Sequence, residues 1–409
     1  MKKSASFIII ITFLSVIIVG VFLLRLPVST VGGSIKLEDA FFTATSAVAV
    51  TGLIVVDTAT YFTFFGQLVI LLLIQFGGLG LMAFSTLFIL LMGKSISLQD
   101  LYIIENVFTA GGHKNLKELL KKIFILTFTI EFIGAVVLFF HFSHIEMGKR
   151  IFAAVFHSIS AFCNAGFSIF SNNLESYTAD VGINITIMLL IILGGIGFLV
   201  IDEILLLFKR KIKSFSRCSV HTKIVVTATA VLIFLGAALI LIQELLNKNN
   251  NLPFGAKLLS SIFHSVAART AGFNTVNLNI FSSASIFFLI ILMFSGASPG
   301  STGGGIKTST LGIIFAFFRS KLKGREKIDL FYREISRTLL EQAFTVILLA
   351  TFLISLSFIL LLSFESNFKM SDLLFDIVSA FGTVGLSLGI TPLLSAPSKI
   401  VLALTMFIG

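Results

Sequence analysis

The sequence predicts an all-α polytopic membrane protein built from four pseudo-symmetric repeats around one central pore. The 409 residues have a mean hydropathy of +1.04, and 56% are hydrophobic while 12% are charged. This composition is too apolar for a soluble globular protein. Long apolar segments recur along the chain, and a short motif containing glycine recurs with them. We expect a multi-pass protein of the plasma membrane.

Several apolar segments are long enough to cross a bilayer, since a helix needs about 20 apolar residues to span about 30 Å of hydrocarbon. The first follows two lysines and is not followed by a small-residue cleavage pattern, which favours a retained span over a signal peptide. The clearest segments are residues 7–24, 64–92, 123–140, 185–208, 224–242 and 344–362.

Basic residues are concentrated in four stretches, at residues 2–3, 94–122, 209–223 and 319–337, which hold 20 of the 30 lysines and arginines. The positive-inside rule places these stretches and the N-terminus in the cytoplasm. Each interval between them must leave the cytoplasm and return, so eight spans are expected. Topology and lipid contact thus account for the net charge of +10, and no nucleic-acid binding is expected.

One glycine recurs at matching positions, with spacings of 114, 106 and 113 residues, and an alanine precedes each by five residues. The period exceeds the roughly 20 to 50 residues of solenoid repeats and indicates duplicated membrane units. We expect repeats at residues 1–92, 93–208, 209–318 and 319–409. The pairs are Ala47 and Gly52, Ala161 and Gly166, Ala267 and Gly272, and Ala380 and Gly385.

The stretch before each glycine is too short to span and predicts a re-entrant helix, which ends in an extended turn at the glycine. Irregular backbone at membrane depth is tolerated only where protein buries it or water solvates it. Four such turns therefore predict a pore lining. We name them the four Gly loops and expect them near residues 50–54, 164–168, 270–274 and 383–387.

The main-chain carbonyls of these loops are candidate ligands for a cation. A ring of carbonyls replaces an ion's hydration shell, and the short helices aim partially negative C-termini at the same cavity. Helix packing or a C-cap would explain any one of the glycines, whereas four in register favour a selectivity filter. The candidate ion-binding residues are Val50, Thr51, Gly52, Asn164, Ala165, Gly166, Thr270, Ala271, Gly272, Thr383, Val384 and Gly385.

This fourfold unit, together with "GASPGSTGGGIKTST" in the third repeat, resembles the Trk/Ktr/HKT superfamily of potassium transporters over essentially the whole chain. The chain is most similar to the Ktr-type membrane subunits, since it opens directly on the first repeat. The resemblance implies a homodimer of four-repeat pores and a cytosolic ring of nucleotide-binding regulatory subunits.

In the family, glycine in all four loops accompanies potassium selectivity, and Gly52 fills the first position here. Potassium is therefore the expected ion. Sodium coupling stays open, and no covalent cofactor is expected.

The glycine-rich stretch at residues 296–305 fails the Walker A pattern, because Ile306 displaces Lys307 by one position. Pro299 and the glycines predict a broken helix. The resemblance implies an intramembrane gating loop, and a static packing kink is the alternative. Its residues are Gly296, Ala297, Ser298, Pro299, Gly300, Ser301, Thr302, Gly303, Gly304 and Gly305, with Lys307 beyond.

The corresponding glycines of the first two repeats are expected to allow close helix packing. They are Gly77, Gly78 and Gly80 in the first repeat, and Gly194, Gly195 and Gly197 in the second.

Three charged residues fall near membrane depth, where charge is costly and functional by default. Arg269 is expected to anchor the third Gly loop by hydrogen bonds. Lys307 is expected to hinder cations electrostatically or to pair with an acidic neighbour. For Glu131, pairing within the bundle and a distant structural role stay open.

Histidines and cysteines give weaker signals. His157 and His264 lie on re-entrant helices and are expected to bond neighbouring backbone. His141 and His144 lack the further ligands of a zinc site. The two cysteines, Cys163 and Cys218, fall on opposite sides of the predicted topology, so no intramolecular disulfide is expected.

Two other function classes compete with potassium uptake. One is a secondary transporter of another cation or small solute, which usually shows two inverted repeats. The other is an integral-membrane enzyme, which needs convergent ionisable residues that are sparse here. The last apolar segment, from about Ser398 to Gly409, is too short to cross, so either it ends early or the chain is truncated.

Overall fold

The computed structural model describes residues 5–80, 116–209, 217–325, 327–331 and 333–409. Residues 81–92 of the first repeat lie outside this part. Parts of the basic stretches also lie outside it, namely residues 2–3, 94–115 and 210–216. The described α-helices are α1 Ala5–Leu24, α2 Leu37–Val48, α3 Thr58–Tyr61, α4 Phe64–Gly78, α5 Leu116–His141, α6 Met147–Phe162, α7 Val181–Ile196, α8 Phe198–Lys209, α9 Val220–Leu246, α10 Phe254–Ala267, α11 Ser283–Phe294, α12 Thr308–Leu322, α13 Arg337–Phe364, α14 Met370–Phe381 and α15 Ala396–Ile408.

The helices form four units of the same design. Each begins with a long helix (α1, α5, α9 or α13) of 20 to 28 residues. A short helix of 12 to 16 residues follows it (α2, α6, α10 or α14). An apolar return segment completes the unit (α4, α7 with α8, α11 with α12, or α15). The predicted all-α polytopic class is thereby confirmed.

Three described helical segments are long and apolar enough to cross a membrane unaided: Lys121–His141, Val220–Leu246 and Arg337–Phe364. The bent pair Val181–Ile196 and Phe198–Phe208 meets the same length and composition criteria when its two helices are taken together. Only 22 to 28% of the three long windows is buried within the protein, so most of their apolar surface is left for lipid. Shorter apolar helices occupy Ile10–Leu24, Phe64–Gly78, Ser283–Phe294 and Ala396–Ile408.

Glycines on the long helices let the three helices of a unit approach closely. A β-carbon at Gly20 of α1 would lie 2.8 Å from a Leu73 methyl carbon, and one at Gly134 of α5 would lie 2.5 Å from the Ser158 hydroxyl. Gly236 of α9 repeats this arrangement, 2.5 Å from the Ser265 hydroxyl. These glycines are a further conserved feature of the units within this chain, and the sequence interpretation did not identify them.

The only strands among the described residues form a short hairpin between α12 and α13. Strand β1, Asp329–Leu330, pairs antiparallel with β2, Arg333–Glu334. This hairpin was not predicted. It lies in the basic stretch at residues 319–337, beside the end of α12.

An ion pair connects the last unit to the first. Lys399 of α15 lies 2.7 Å from an Asp39 carboxylate oxygen in the first turn of α2, and both side chains are largely buried. Helices α15 and α2 pack against each other along this contact. The four units therefore close into a ring, with the short helices inside.

Candidate functional site

Each short helix ends in a left-handed turn on a residue that is not glycine. The φ angles are +53° at Val50, +60° at Asn164, +69° at Thr270 and +48° at Thr383. β-Branched residues in this region are outliers, and each costs of order 1–3 kcal/mol. Such strain persists only where the surroundings enforce it, and it concentrates at functional sites.

Serine hydroxyls hold three of the Gly loops against their own helices. Ser46 accepts a hydrogen bond from the Gly52 amide (3.1 Å) and donates one to the Leu53 carbonyl (2.8 Å). The third repeat has Val266 at this position. In the second repeat, the Ser160 hydroxyl donates to the Phe167 carbonyl (2.7 Å). In the fourth repeat, the Gly385 amide donates to the Ser379 hydroxyl (3.0 Å). A serine six residues before the glycine was a readable signal that the sequence interpretation missed.

The four glycines meet in a closed cycle. A β-carbon at Gly52 would lie 2.3 Å from the Ala165 carbonyl oxygen, and one at Gly385 would lie 2.1 Å from the Thr51 oxygen. All four also have positive φ, between +66° and +94°. Any side chain here would collide with the backbone of the next unit. In the same way, a β-carbon at Gly166 would lie 2.7 Å from the Ala271 oxygen, and one at Gly272 would lie 2.4 Å from the Val384 oxygen.

A single open cavity of about 230 Å³ is lined by all four glycines, and we name it the vestibule. The acidic residues Asp57 and Glu175 also line it. Burial raises the pKa of Glu175, while a hydrogen bond from Asn274 (2.9 Å) opposes that shift. The vestibule thus leads to the four loops past two carboxyl groups.

The candidate ion-binding residues beside the glycines are buried. Asn164 and Thr270, from neighbouring units, lie within hydrogen-bonding distance through the Asn164 amide and the Thr270 hydroxyl (3.1 Å). The structure thus brings the predicted residues of all four repeats together at one place. The candidate ion-binding residues that are at most 3% exposed are Val50, Thr51, Asn164, Ala165, Thr270, Ala271, Thr383 and Val384.

The glycine-rich stretch is not helical, as predicted. Helix α11 ends at Phe294 and α12 begins at Thr308. The two ends of the excursion meet, because Ala297 N–H donates to Gly304 (3.1 Å) and Thr308 N–H donates to Ala297 (3.2 Å). The stretch is therefore a closed excursion from the helix.

Residues 298–300 of this stretch are hydrogen-bonded to the second unit, at the junction between α7 and α8. Ser298 N–H donates to Gly195 O (3.0 Å), and Phe198 N–H donates to Gly300 O (3.2 Å). Between the bonded residues, Gly197 has a φ of +96°, and α8 departs from α7 at 101°. Gly197 permits this sharp bend, which the prediction of close packing did not include, and a β-carbon there would also lie 2.8 Å from the Pro299 carbonyl oxygen.

Gly194 does serve close packing, since a β-carbon there would lie 1.8 Å from the Phe162 carbonyl oxygen. In the first unit the same holds for Gly77, at 2.1 Å from the Val48 oxygen, and for Gly78, at 2.5 Å from the Cys163 sulfur. Gly80 follows the end of α4 with a φ of +76°, and no atom of the described residues lies within 4 Å of its β-position.

The glycine-rich stretch also touches three of the short helices' ends. Thr302 donates to the Phe162 carbonyl (3.2 Å), and Gly304 N–H donates to the Thr383 hydroxyl (2.9 Å). A β-carbon at Gly303 would lie 2.1 Å from the Thr270 hydroxyl. The stretch thus packs under the left-handed residues, whereas the vestibule is lined by the glycines that follow them.

Two basic residues lie next to the third Gly loop and the glycine-rich stretch. Lys307 donates to the Gly303 carbonyl (2.8 Å) and has no acidic partner among the described residues. Arg269 is 6% exposed, but its Nε atom has no hydrogen-bond partner in the described part. Of the two alternatives for Lys307, pairing with an acidic neighbour therefore finds no support in the described residues, and the hydrogen-bond anchor at Arg269 stays a prediction.

Glu131 pairs within the bundle, but its partners in the described ranges are neutral. The Gln75 amide donates to both of its carboxylate oxygens (3.1 and 3.2 Å), and the Cys163 thiol donates at 3.8 Å. Glu131 is 4% exposed and connects the first unit to the second directly behind the second Gly loop.

The histidines have separate partners. His157 Nδ1 lies 2.8 Å from the Ala153 carbonyl and His264 Nδ1 lies 2.7 Å from that of Ser260, which confirms the expected backbone bonds. His141 lies near Asp180 (3.8 Å), and His144 contacts Tyr177 (2.9 Å).

Comparison with known proteins decides the family. The family model for TrkH, described as a cation transport protein, matches residues 2–409. The chain belongs to this family of cation transport proteins. It is thus a multi-pass membrane protein of a transport family, and the predicted Trk/Ktr resemblance is confirmed.

Two bacterial relatives are named Ktr system potassium uptake protein B. The one from Bacillus subtilis (strain 168) is 38% identical over 97% of this chain and 88% of its own length. The one from Vibrio alginolyticus is 37% identical over 98% and 88%. The potassium/sodium uptake protein NtpJ of Enterococcus hirae is 34% identical over 97% and 88%.

The fold is also that of a solved structure. The crystal structure of the potassium transporter TrkH from Vibrio parahaemolyticus matches with a TM-score of 0.79 and 16% identity, over 100% of this chain and 83% of that one. At this identity the match supports the fold alone.

Proposed function

We propose that this chain takes up potassium ions across a bacterial plasma membrane through a filter of main-chain carbonyl oxygens in the four Gly loops. The closed cycle of contacts among Gly52, Gly166, Gly272 and Gly385 carries the proposal. Convergent peptide oxygens can replace the hydration shell of a dehydrated ion. The names of the relatives from Bacillus subtilis and Vibrio alginolyticus supply the ion.

Negative charge on both sides of the four Gly loops favours binding of a cation. Four short helices end next to the loops, and each directs about half an elementary negative charge toward them. Asp57 and Glu175 add carboxyl groups at the vestibule. Cations are thus attracted toward the filter, and the carbonyl dipoles complete the attraction inside it.

The glycine-rich stretch at residues 296–305 is the proposed gate. It packs under the helix ends of three units, and it bonds to the bend at Gly197. Few side chains hold it there, since most of its bonds come from main-chain amides. A segment of this kind can block the pathway in one arrangement and leave it in another.

The assembly and coupling are also proposals. A homodimer with a cytosolic ring of nucleotide-binding regulatory subunits follows from the Ktr-type resemblance and from the word "system" in the relatives' names. Sodium dependence is supported by the potassium/sodium uptake protein of Enterococcus hirae. The N-terminus is placed in the cytoplasm by the charge pattern.

Rubidium uptake in a bacterial strain without its own potassium systems tests the proposal. We expect expression of the chain to support growth at low potassium and to produce saturable rubidium uptake that potassium competes for. An organic-solute transporter or an enzyme would leave rubidium uptake at the level of the empty vector, and that result would overturn the proposal.

A further inference from the structure

A deep apolar groove opens between α9 and α12 on the predicted cytoplasmic half of the third unit. It has a volume of about 550 Å³. Ser295 and Leu311 lie at its inner end, and Leu330 and Phe331 of the hairpin lie at its outer end. The remaining lining residues are Ile224, Thr227, Ala228, Val231, Leu232, Gly312, Phe315 and Arg319.

The outer end of the groove continues into a basic pocket. Arg319 and Phe331 line both cavities, and the second also contains Lys323 and Arg325. Asp329 is the acidic residue in its lining. An apolar channel therefore leads to three positive charges and one negative charge.

The three basic side chains are available for a ligand. Arg319, Lys323 and Arg325 are exposed and form no ion pair with any residue that the structure describes. By contrast, nearby Lys327 is paired with Glu334 at 3.2 Å. The unpaired charges thus collect at the mouth of the groove.

We infer that this groove and pocket form a binding site for one anionic phospholipid of the cytoplasmic leaflet. An acyl chain fits the apolar groove, and the phosphate fits the basic mouth. Basic pockets between helices at the cytoplasmic surface are typical of lipids with anionic headgroups. A purely apolar occupant would leave the three charges without a partner, and a soluble anion would leave the groove uncovered.

The absence of tryptophan from the chain permits a direct test, because one introduced tryptophan is then the only one present. Phe315 lines the groove and is 66% exposed, so Phe315→Trp places a reporter inside the site. Phe234→Trp is the matched control, since Phe234 lies on α9, is 75% exposed and does not line the groove.

Each purified variant is reconstituted into phosphatidylcholine vesicles that contain brominated phosphatidylglycerol or brominated phosphatidylcholine. We expect brominated phosphatidylglycerol to quench the groove reporter of the Phe315→Trp variant with at least about fivefold higher apparent affinity, the effect of about one basic residue at the membrane surface. In the Phe234→Trp variant both lipids should quench equally.

Charge variants locate the headgroup. In the Phe315→Trp background, the triple change Arg319→Gln, Lys323→Gln and Arg325→Gln should remove the preference, and Asp329→Asn should increase it. A control triple variant carries Lys321→Gln, Lys327→Gln and Arg337→Gln, which remove as much charge from the same surface. These three residues line neither cavity, so the lipid preference should persist. Arg319→Gln alone serves if the triple variant does not fold, and it should lower the preference.

Three results would overturn the inference. They are equal quenching of the groove reporter by both lipids, an equal loss of preference in the control triple variant, and no quenching by either lipid. The last would mean that protein fills the groove. Because the assay measures binding without ion flux, its outcome is independent of the proposed potassium uptake.

Discussion

Gly52 shows how one residue can limit what a filter tolerates. Its φ is +90°, and a β-carbon would lie 2.3 Å from the Ala165 carbonyl oxygen. We predict that Gly52→Ser lowers rubidium uptake at least about tenfold, equivalent to about 1.4 kcal/mol. Discrimination against sodium should fall as well, because displacing the Ala165 oxygen changes the size of the cage. Rubidium uptake with sodium competition measures both effects.

Gly33→Ser is the matched control for this change. Gly33 also has a positive φ, +73°, but no atom of the part of the chain that the structure describes lies within 4 Å of its β-position. Its replacement should leave uptake and ion preference close to those of the unmodified protein. Equal loss in both variants would mean that backbone strain, and not the contact with Ala165, is responsible.

Glu131 is predicted to act as a buried hydrogen-bond acceptor between the first two units. Glu131→Ala removes the acceptor of the Gln75 amide and one acceptor of the Cys163 thiol, which should destabilise the protein by about 1–3 kcal/mol. Glu131→Gln retains an acceptor oxygen and should cost less. Thermal unfolding in detergent measures the order. A Gln variant as unstable as the Ala variant would show that the carboxyl group itself is needed.

At the scale of one element, the glycine-rich stretch is predicted to restrict flux. Removing residues 300–302 deletes its hydrogen bonds to the Gly194 and Phe162 carbonyls and to the Phe198 amide. Rubidium flux into proteoliposomes that contain the membrane protein alone should increase by about tenfold or more, since a barrier of about 1.4 kcal/mol is thereby removed.

Deleting residues 31–33 in the turn before α2 is the control for shortening, and it should not raise flux. That turn lies outside the four Gly loops, and among the described residues no atom lies within 4 Å of the β-positions of Gly32 or Gly33. Unchanged or reduced flux after removal of residues 300–302, at matched protein amounts, would count against a gate and favour a static packing kink.

The elements differ in how far their sequences reveal them. The broken helix at residues 296–305 was readable, because Pro299 and the glycines disfavour helix throughout. The bend at Gly197 was not, since closely spaced glycines fit close packing as well as a break, and Gly194 and Gly197 prove to differ. The hairpin strands of two residues each are too short to give a periodic pattern.

At the scale of the whole molecule, the ion pair of Lys399 with Asp39 is predicted to help close the ring. Lys399→Met leaves Asp39 buried without its partner, which should cost about 3–5 kcal/mol. The double variant Lys399→Met with Asp39→Asn should recover part of that loss. Thermal unfolding of both variants measures it. Equal stability of the single and double variants would show that Asp39 is not destabilising when its partner is absent, which contradicts this prediction.

Contacts between distant parts of the chain explain what the sequence could not reveal. Matching glycines 106 to 114 residues apart predicted that the loops share one design. They could not specify that Thr302 contacts Phe162, or that Lys399 pairs with a residue 360 positions away. Such pairs depend on how the units pack around the ring, and one sequence carries no local pattern for them.

Anomalous scattering from rubidium-soaked crystals tests whether the four Gly loops hold a dehydrated alkali-metal ion. We expect a peak enclosed by the loops around Gly52, Gly166, Gly272 and Gly385, which potassium abolishes in competition. Rubidium bound only elsewhere, in a protein that takes up rubidium, would contradict it.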